Sequence, residues 1–425
     1  MLQVLAHSWA LLLGMGLLMI GNGLQATLMG VRGGMEGFST LELSIVTSAY
    51  FLGFLFGSRM APQMIRRVGH VRVFAALGAF LSAVLILFPV FTDPWAWTAL
   101  RVIIGFCLSG VYVTAESWLN NSATNETRGQ TLSAYMIVQM AGIVTAQGIL
   151  SIGDAGGYVI FIIPSVLVSV AFAPILLSIS PTPAFETTKP MTLKELFHNS
   201  PLTFVGMTLL GGVFSALFGM ASVFGSASGL SVQQISAFVS AIFIGSIVMQ
   251  YPIGWLSDRM DRRVLIFGTA LAGGLAALVG FGFGESFEVL LAVAFLLGGV
   301  ANPLYSLLIA YLNDYLEPDD MAAASGGLIF VNGVGAIAGP LLTGWLMSVL
   351  GPSAGFWSFV AALSLGIAAY AAYRMTQRPS VPVDETGAYV TVMPTASPVA
   401  LEVATEWAIE QAEDDAEATE AGDAA

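Results

Sequence analysis

The chain has 425 residues, 56% of them apolar and 10% charged, with a mean hydropathy of +0.82. A soluble domain carries about a quarter charged residues, so this composition excludes a soluble globular enzyme, a disordered protein and a nucleic-acid binder before any motif is read. The net charge of −13 is unevenly placed: eleven acids and no base follow Arg378, leaving fourteen bases against sixteen acids in the preceding body. The acidity belongs to a tail and carries no information about a substrate. Cys107 is the single cysteine and sits in an apolar run, so neither an intrachain disulfide nor a cysteine-cluster metal site is available. His7, His70 and His198 lie far apart in the chain, which leaves a metal without ligands.

A helix crosses a hydrocarbon core of about 30 Å with roughly 20 apolar residues. Twelve stretches qualify, near 9 to 31, 43 to 64, 71 to 91, 95 to 118, 129 to 151, 157 to 179, 201 to 225, 234 to 257, 263 to 283, 287 to 311, 321 to 349 and 353 to 374. Turn-rich breaks such as Thr92-Asp93-Pro94 and Gly153-Asp154-Ala155-Gly156-Gly157 separate them. The expected fold is an all-α integral membrane protein of 12 transmembrane helices in two six-helix bundles, 1–180 and 201–376. A linker, 181–200, joins the bundles, and an acidic tail, 377–425, follows them. The first run lacks a basic flank and a small-residue cleavage pattern, so it reads as a retained helix. The tail has too few apolar residues for a core and is expected to be disordered, with a frail acidic helix over 401–420.

Basic residues fix the expected orientation. One side collects Arg59, Arg66, Arg67, Arg72, Arg128, Lys189, Lys194, Arg259, Arg262, Arg263, Arg374 and Arg378; the other has Arg32 and Arg101. The excess places both termini and the linker in the cytoplasm, in a bacterial inner membrane. The sequons at Asn120 and Asn125 then face the cytoplasm and are incidental.

Laid on itself with a shift of about 192 residues, the sequence repeats. Gly37-Phe-Ser-Thr-Leu-Glu-Leu-Ser pairs with Gly229-Leu-Ser-Val-Gln-Gln-Ile-Ser, followed by Phe51 on Phe243, Gly53 on Gly245 and Arg67 on Arg259. A shift of 193 then pairs Gly105 with Gly298, Tyr112 with Tyr305, Leu119-Asn120 with Leu312-Asn313 and Gly142 with Gly335. Parallel repeats of this kind belong to transporters that rock two bundles about a central site.

The turn after the second helix of each half carries an arginine cluster. In the second half it reads Gly254-Trp-Leu-Ser-Asp258-Arg259-Met-Asp261-Arg262-Arg263. This string resembles the loop signature of the major facilitator superfamily, with Asp261 where the family has glycine. The first-half counterpart keeps Gly69 beside Arg67 but has Arg66 where the family has aspartate. Arg101-Val-Ile-Ile-Gly105, and Glu116 followed by Arg128-Gly129, resemble further signatures of that family. Gly37-Phe-Ser-Thr, Arg67-Val-Gly-His-Val-Arg72 and Glu116-Ser-Trp-Leu-Asn are similar to its YcaD-like bacterial branch. The resemblance covers roughly residues 5 to 376. It implies alternating access and a cavity lined by the first, fourth, seventh and tenth helices, and it implies no particular solute.

A charge at the centre of a membrane helix costs about 2.5–3.5 kcal/mol on insertion scales. Arg101 either snorkels to the outer interface or serves as an anion anchor or packing hub. Glu116 lies fifteen residues later, about 22 Å along a helix, and so cannot pair with it. Glu116 is expected to join a cytoplasmic gate with Arg128 or a base of the second half, or to carry a coupling proton.

Candidate pathway residues share helix faces: Asn22 and Gln25; Ser109, Tyr112 and Glu116; Ser215 and Ser222; Asn302 and Tyr305 beside Pro303. Gln139, Gln250 and Asn332 complete the set, against the alternative that such side chains glue helices together. Gly335-Ala-Ile-Ala-Gly339-Pro340 looks like the antiporter signature of drug exporters but falls in the eleventh helix, not the fifth.

The expected function is secondary active or facilitative transport of a small organic solute by alternating access, in a monomer embedded in lipid, with no nucleic-acid partner. Neither covalent chemistry nor a cofactor or metal is expected, and proton coupling is open. No Gly-Lys-Ser/Thr phosphate loop is present to couple ATP. The alternatives are a drug or metabolite efflux antiporter, and a non-cycling transporter-like receptor or scaffold.

Overall fold

No water inside a bilayer can satisfy a backbone N–H or C=O, so each apolar run closes into a helix. The computed structural model describes residues 2–122, 128–177, 191–316 and 318–383, and in the tail 386, 387, 389–397, 399–401, 404 and 407. The first half of the linker, with Lys189, the sequon at Asn125, and nearly all of 402–425 lie outside the described residues, as does the Arg128 side chain.

The first six helices are α1 (Leu2–Met35), α2 (Thr40–Val68), α3 (His70–Leu87), α4 (Pro94–Ser122), α5 (Arg128–Ile152) and α6 (Val159–Leu177). A short α7 (Leu193–Asn199) precedes α8 (Pro201–Ser215), a π-helical turn (Ala216–Met220) and α9 (Ala221–Ala227), which together form the seventh crossing. Then come α10 (Val232–Ser257), α11 (Arg262–Phe283), α12 (Phe287–Asn313), α13 (Pro318–Leu350) and α14 (Pro352–Met375). Among the described residues eleven helices are long and apolar enough to cross a membrane, and a shorter apolar helix, Val159–Pro174, stands at the sixth position.

The internal repeat acquires a physical reason. Gly37 and Gly229 adopt φ of 79° and 77°, backbone that an L side chain reaches only with strain. Two residues on, Ser39 and Ser231 cap α2 and α10. Ser39 Oγ accepts the Glu42 N–H at 3.2 Å while the Glu42 carboxylate accepts the Ser39 N–H at 2.7 Å, and Ser231 and Gln234 repeat the exchange. The paired glycines are helix crossings. A Cβ on Gly53 would strike the Val102 carbonyl, and one on Gly105 the Tyr50 carbonyl; Gly245 and Gly298 stand likewise against Phe295 and Ile242. Gly142 and Gly335 let α5 approach α1 and α13 approach α8 in the same way. Accordingly α1 packs on α5 and α6, α2 on α4, and α3 on α4 and α6, and the corresponding pairs recur from α8 to α14.

The halves meet on the face opposite the arginine-rich turns. Ser48 Oγ donates to the Ile337 carbonyl at 2.7 Å, and Gln233 Nε2 to the Ser151 carbonyl at 3.1 Å. Gly30 sits on Ser222, Gly34 on Ser226 and Gly344 on Ser44, so the seam there is closed by small residues.

On the arginine-rich face a cleft lies between the halves, and part of the tail occupies it. Val392, Met393, Ala396, Ser397, Ala400 and Leu401 are buried. This differs from the disorder expected of the whole segment. Its few apolar and small side chains make no core of their own, but the cleft supplies one.

Candidate functional site

Between the halves lies a cavity of about 90 Å³. Its polar side comes mainly from the first half, with Asn22 of α1, Tyr50 of α2, Arg101 and Tyr112 of α4 and Gln139 of α5, joined by Asn302 of α12. Its apolar side comes from Phe51 together with Phe214, Phe218, Val239 and Phe243 of the second half, while Met393 and Thr395 of the tail complete the wall. The π-helical turn of the seventh crossing brings Phe218 and Gly219 to this surface, a local widening of the helix that is frequent at functional sites.

Arg101 is 4% exposed and turns inward, away from the outer interface. One of its terminal nitrogens donates to Gln25 Oε1 at 2.6 Å, and its guanidinium lies 4.7 Å from the centre of the Tyr50 ring. Asn22 and Tyr50 line the same cavity beside it. Gln25 Nε2 and Arg101 Nε are buried with no protein partner, and among the described residues no carboxylate forms an ion pair with Arg101. A desolvated cation without a counter-charge is costly unless something else supplies one.

The other expected residues divide. Tyr112 donates to Met19 Sδ at 3.1 Å at the cavity edge. Gln250 receives Asn302 Nδ2 at 3.2 Å, and its own amide donates to the Tyr389 hydroxyl at 2.7 Å. Asn332 donates to the Met207 carbonyl at 3.1 Å and lines an adjoining recess with Tyr50 and Phe214. Ser109 lies against Gly57, Ser215 bonds the Gly212 carbonyl and abuts Gly339, and Ser222 faces Gly30, so all three serve helix packing. Tyr305 is fully buried outside the cavity lining, with its hydroxyl unpartnered.

Sequence reasoning missed Tyr50 and the aromatic wall, although the repeat had already paired Phe51 with Phe243. It also missed Met393 and Thr395, for which the tail's composition carries no signal.

Glu116, 3% exposed, takes the Tyr135 hydroxyl at 3.2 Å on one oxygen and the Ser397 N–H at 2.9 Å on the other. Neither is the base expected for it, and the Arg128 side chain lies outside the described residues. Arg66 and Arg67 are exposed at the end of α2, and Gly69, with φ of 86°, makes the turn into α3.

In the second half Asp261 needs no positive φ: at −54° it caps α11, taking the Arg263 N–H at 2.9 Å and gripping the Arg263 guanidinium with both oxygens. Partial burial pushes its carboxyl up, but the Arg263 hydrogen bonds and charge outweigh that and hold it below the usual range. Arg262 is paired with Asp314, both nearly inaccessible, and approaches Asp258 at 3.9 Å. Burial drives the Asp314 carboxyl up, with Arg262 opposing. Arg259 instead lies over Trp255, 4.4 Å from the ring centre.

The Major Facilitator Superfamily family model matches residues 10–239 and 224–401, and the chain belongs to that superfamily. An MFS-type transporter of Enterobacter sp. (strain 638) is 28% identical over 346 residues, spanning 79% of this chain and 88% of the relative. The MFS-type transporter YcaD of Escherichia fergusonii is 26% identical over 320 residues, 73% and 81% of the two chains. Among solved structures, the nucleoside transporter NupG and a point mutant of it share the fold. Their TM-scores are 0.69 and 0.74, at 15% and 16% identity, over 87% and 86% of this chain and 98% and 99% of theirs. The chain is thus a multi-pass inner-membrane protein of the major facilitator superfamily, similar to YcaD-type relatives, and its relatives and fold are those of solute transporters.

Proposed function

We propose that this chain carries a small organic solute across the inner membrane by rocker-switch alternating access, and that the solute joins an anionic or strongly polar group to a planar apolar body. The observation that carries this reading is Arg101: buried, without an acidic partner among the described residues, and facing a wall of Phe214, Phe218 and Phe243. An anion would supply the missing counter-charge, Gln25, Asn22 and Tyr50 would orient it, and the aromatic wall would take the ring. NupG is a nucleoside transporter by name; here the unpaired cation favours an acidic relative of such ring-bearing solutes over a neutral one.

The arginine-rich face is the cytoplasmic one on this reading, and residues 1–180 and 201–376 are the two rocking bodies joined by 181–200. A closed opposite face with a central cavity fits an inward-facing arrangement. Glu116, buried and held by two neutral donors, is the group suited to carry a coupling proton. No organic cofactor enters the scheme, and the chain acts as a monomer.

The test is the unfolding temperature of detergent-purified protein against aromatic acids, nucleosides, nucleotides, sugars and amphipathic cations. A ligand at 100 times its dissociation constant stabilises the folded state by about 2.7 kcal/mol. Aromatic anions are expected to register, and Arg101→Gln to abolish the response. Hits confined to cations would overturn the solute class and favour an efflux antiporter. A bound ligand that shows no counterflow in proteoliposomes would make the chain a receptor.

A further inference from the structure

We infer that the described residues of the C-terminal tail, 387, 389–397, 399–401 and 404, are a built-in plug of the central cavity, which must leave its seat before solute can pass on the arginine-rich face. The consequence for transport rests on the function proposed above; the geometry does not.

The segment is held along its length by polar groups of both halves. In the second half, Arg262 donates to the Gly387 carbonyl, Asp258 accepts the Tyr389 N–H at 2.9 Å, and Gln250 donates to the Tyr389 hydroxyl. Ser306 Oγ donates to the Val392 carbonyl at 3.1 Å and accepts the Val392 N–H at 3.0 Å, the exchange a neighbouring strand would make. In the first half, Glu116 accepts the Ser397 N–H. Met393 then packs on Met136 and Met140 of α5 with Ile247 of α10, bridging the halves.

The seat is shaped for this occupant. Gly254 lies directly against the Tyr389 ring, where a Cβ would collide. Further along, the buried positions Ala396, Ser397, Ala400 and Ala404 are small, as a narrow cleft requires, and Leu401 is the one large side chain buried among them. Irregular backbone is tolerated at membrane depth only where protein or water meets its polar groups; here Ser306 and Glu116 meet buried ones, and Asp258 meets an exposed one at the end of α10. Residues that would otherwise offer hydrogen bonds to an entering solute, Gln250 and Ser306, are thereby occupied. What remains is a cavity of about 90 Å³ with Met393 and Thr395 in its wall, against the ~300–1,000 Å³ of pockets that hold drug-sized ligands. A strap bonded to both halves also opposes their rotation relative to each other.

The test uses full-length protein with Cys107→Ser to remove the native thiol and Met140→Cys as a reporter beneath Met393. Alkylation by a membrane-impermeant maleimide is followed in detergent. The plug predicts slow reaction with the native tail and at least tenfold faster reaction when Met393→Glu unseats it. Gly254→Cys with Tyr389→Cys supplies a second arm: the two positions adjoin, and their disulfide clamps the tail in place. Within that one variant the reduced form is expected to react faster at position 140 than the oxidised form, so a folding defect cannot imitate the result. Equal rates in all forms, or fast reaction with the native tail, would overturn the plug. Failure of counterflow with these rates intact would instead sink the transporter reading and leave the plug standing.

Discussion

The carboxylate of Glu116, in α4 of the first half, accepts the backbone N–H of Ser397 at 2.9 Å, across 281 residues of chain. An acid expected to bind a base therefore binds the chain's own tail, and its second oxygen is taken by Tyr135.

Glu116→Gln keeps an acceptor for Ser397 but removes the titrating group. If Glu116 carries the coupling proton, the variant is expected to lose the pH dependence of solute flux while its dissociation constant stays within about threefold of wild type, roughly 0.7 kcal/mol. Counterflow and thermal-shift titrations at two pH values measure both. A large loss of affinity would move Glu116 into the binding site.

Arg101→Lys keeps the charge yet loses the planar fork that meets Gln25 and stacks on Tyr50. Binding of the solute is expected to weaken at least about tenfold, equivalent to ~1.4 kcal/mol, and to weaken further in Arg101→Gln. Unchanged affinity in both variants would return Arg101 to helix packing.

Gly229→Ala tests the capped turn. Nothing lies within 4 Å of the added Cβ, so the cost is that of the backbone at φ 77° alone. A loss of about 1–2 kcal/mol is expected, read as a lower unfolding temperature, with Gly229→Asn milder. Gly298→Val, which drives a side chain into the Ile242 carbonyl, is expected to cost more, about 1–3 kcal/mol or beyond.

Asp314→Ala leaves buried Arg262 with only the longer Asp258 contact at 3.9 Å for a counter-charge, at an expected cost of up to about 3 kcal/mol, the lower end for breaking a buried pair. The native acid also has a signature in pH. Its folded pKa is raised by burial, so its contribution to stability is fullest below the ordinary aspartate range and declines as pH rises through the folded value. The unfolding temperature of wild type is expected to carry that component between acid and neutral pH, and Asp314→Asn to lack it.

The helices were legible because membrane burial writes itself into runs of apolar residues, and the repeat was legible because backbone contacts at Gly53, Gly105, Gly245 and Gly298 admit no other residue. The cavity was legible in part. Asn22, Arg101, Tyr112, Gln139 and Asn302 betray themselves as polar groups in apolar helices. Phe214 and Phe218 do not, since a phenylalanine facing lipid and one facing solute read alike. Serines at 109, 215 and 222 misled for the converse reason, a hydroxyl being as useful between two helices as beside a ligand. The tail escaped because its partners, Gly254, Asp258, Gln250 and Ser306, belong to a cleft that only tertiary structure creates.

The seat of the tail's described residues also orders events at the ribosome. Its contacts come from α4, α5, α10, α11 and α12, on both halves of the protein, and the segment that fills it is synthesised after all of them. It has nothing to dock on until the two halves have come together, so its docking reports completed assembly.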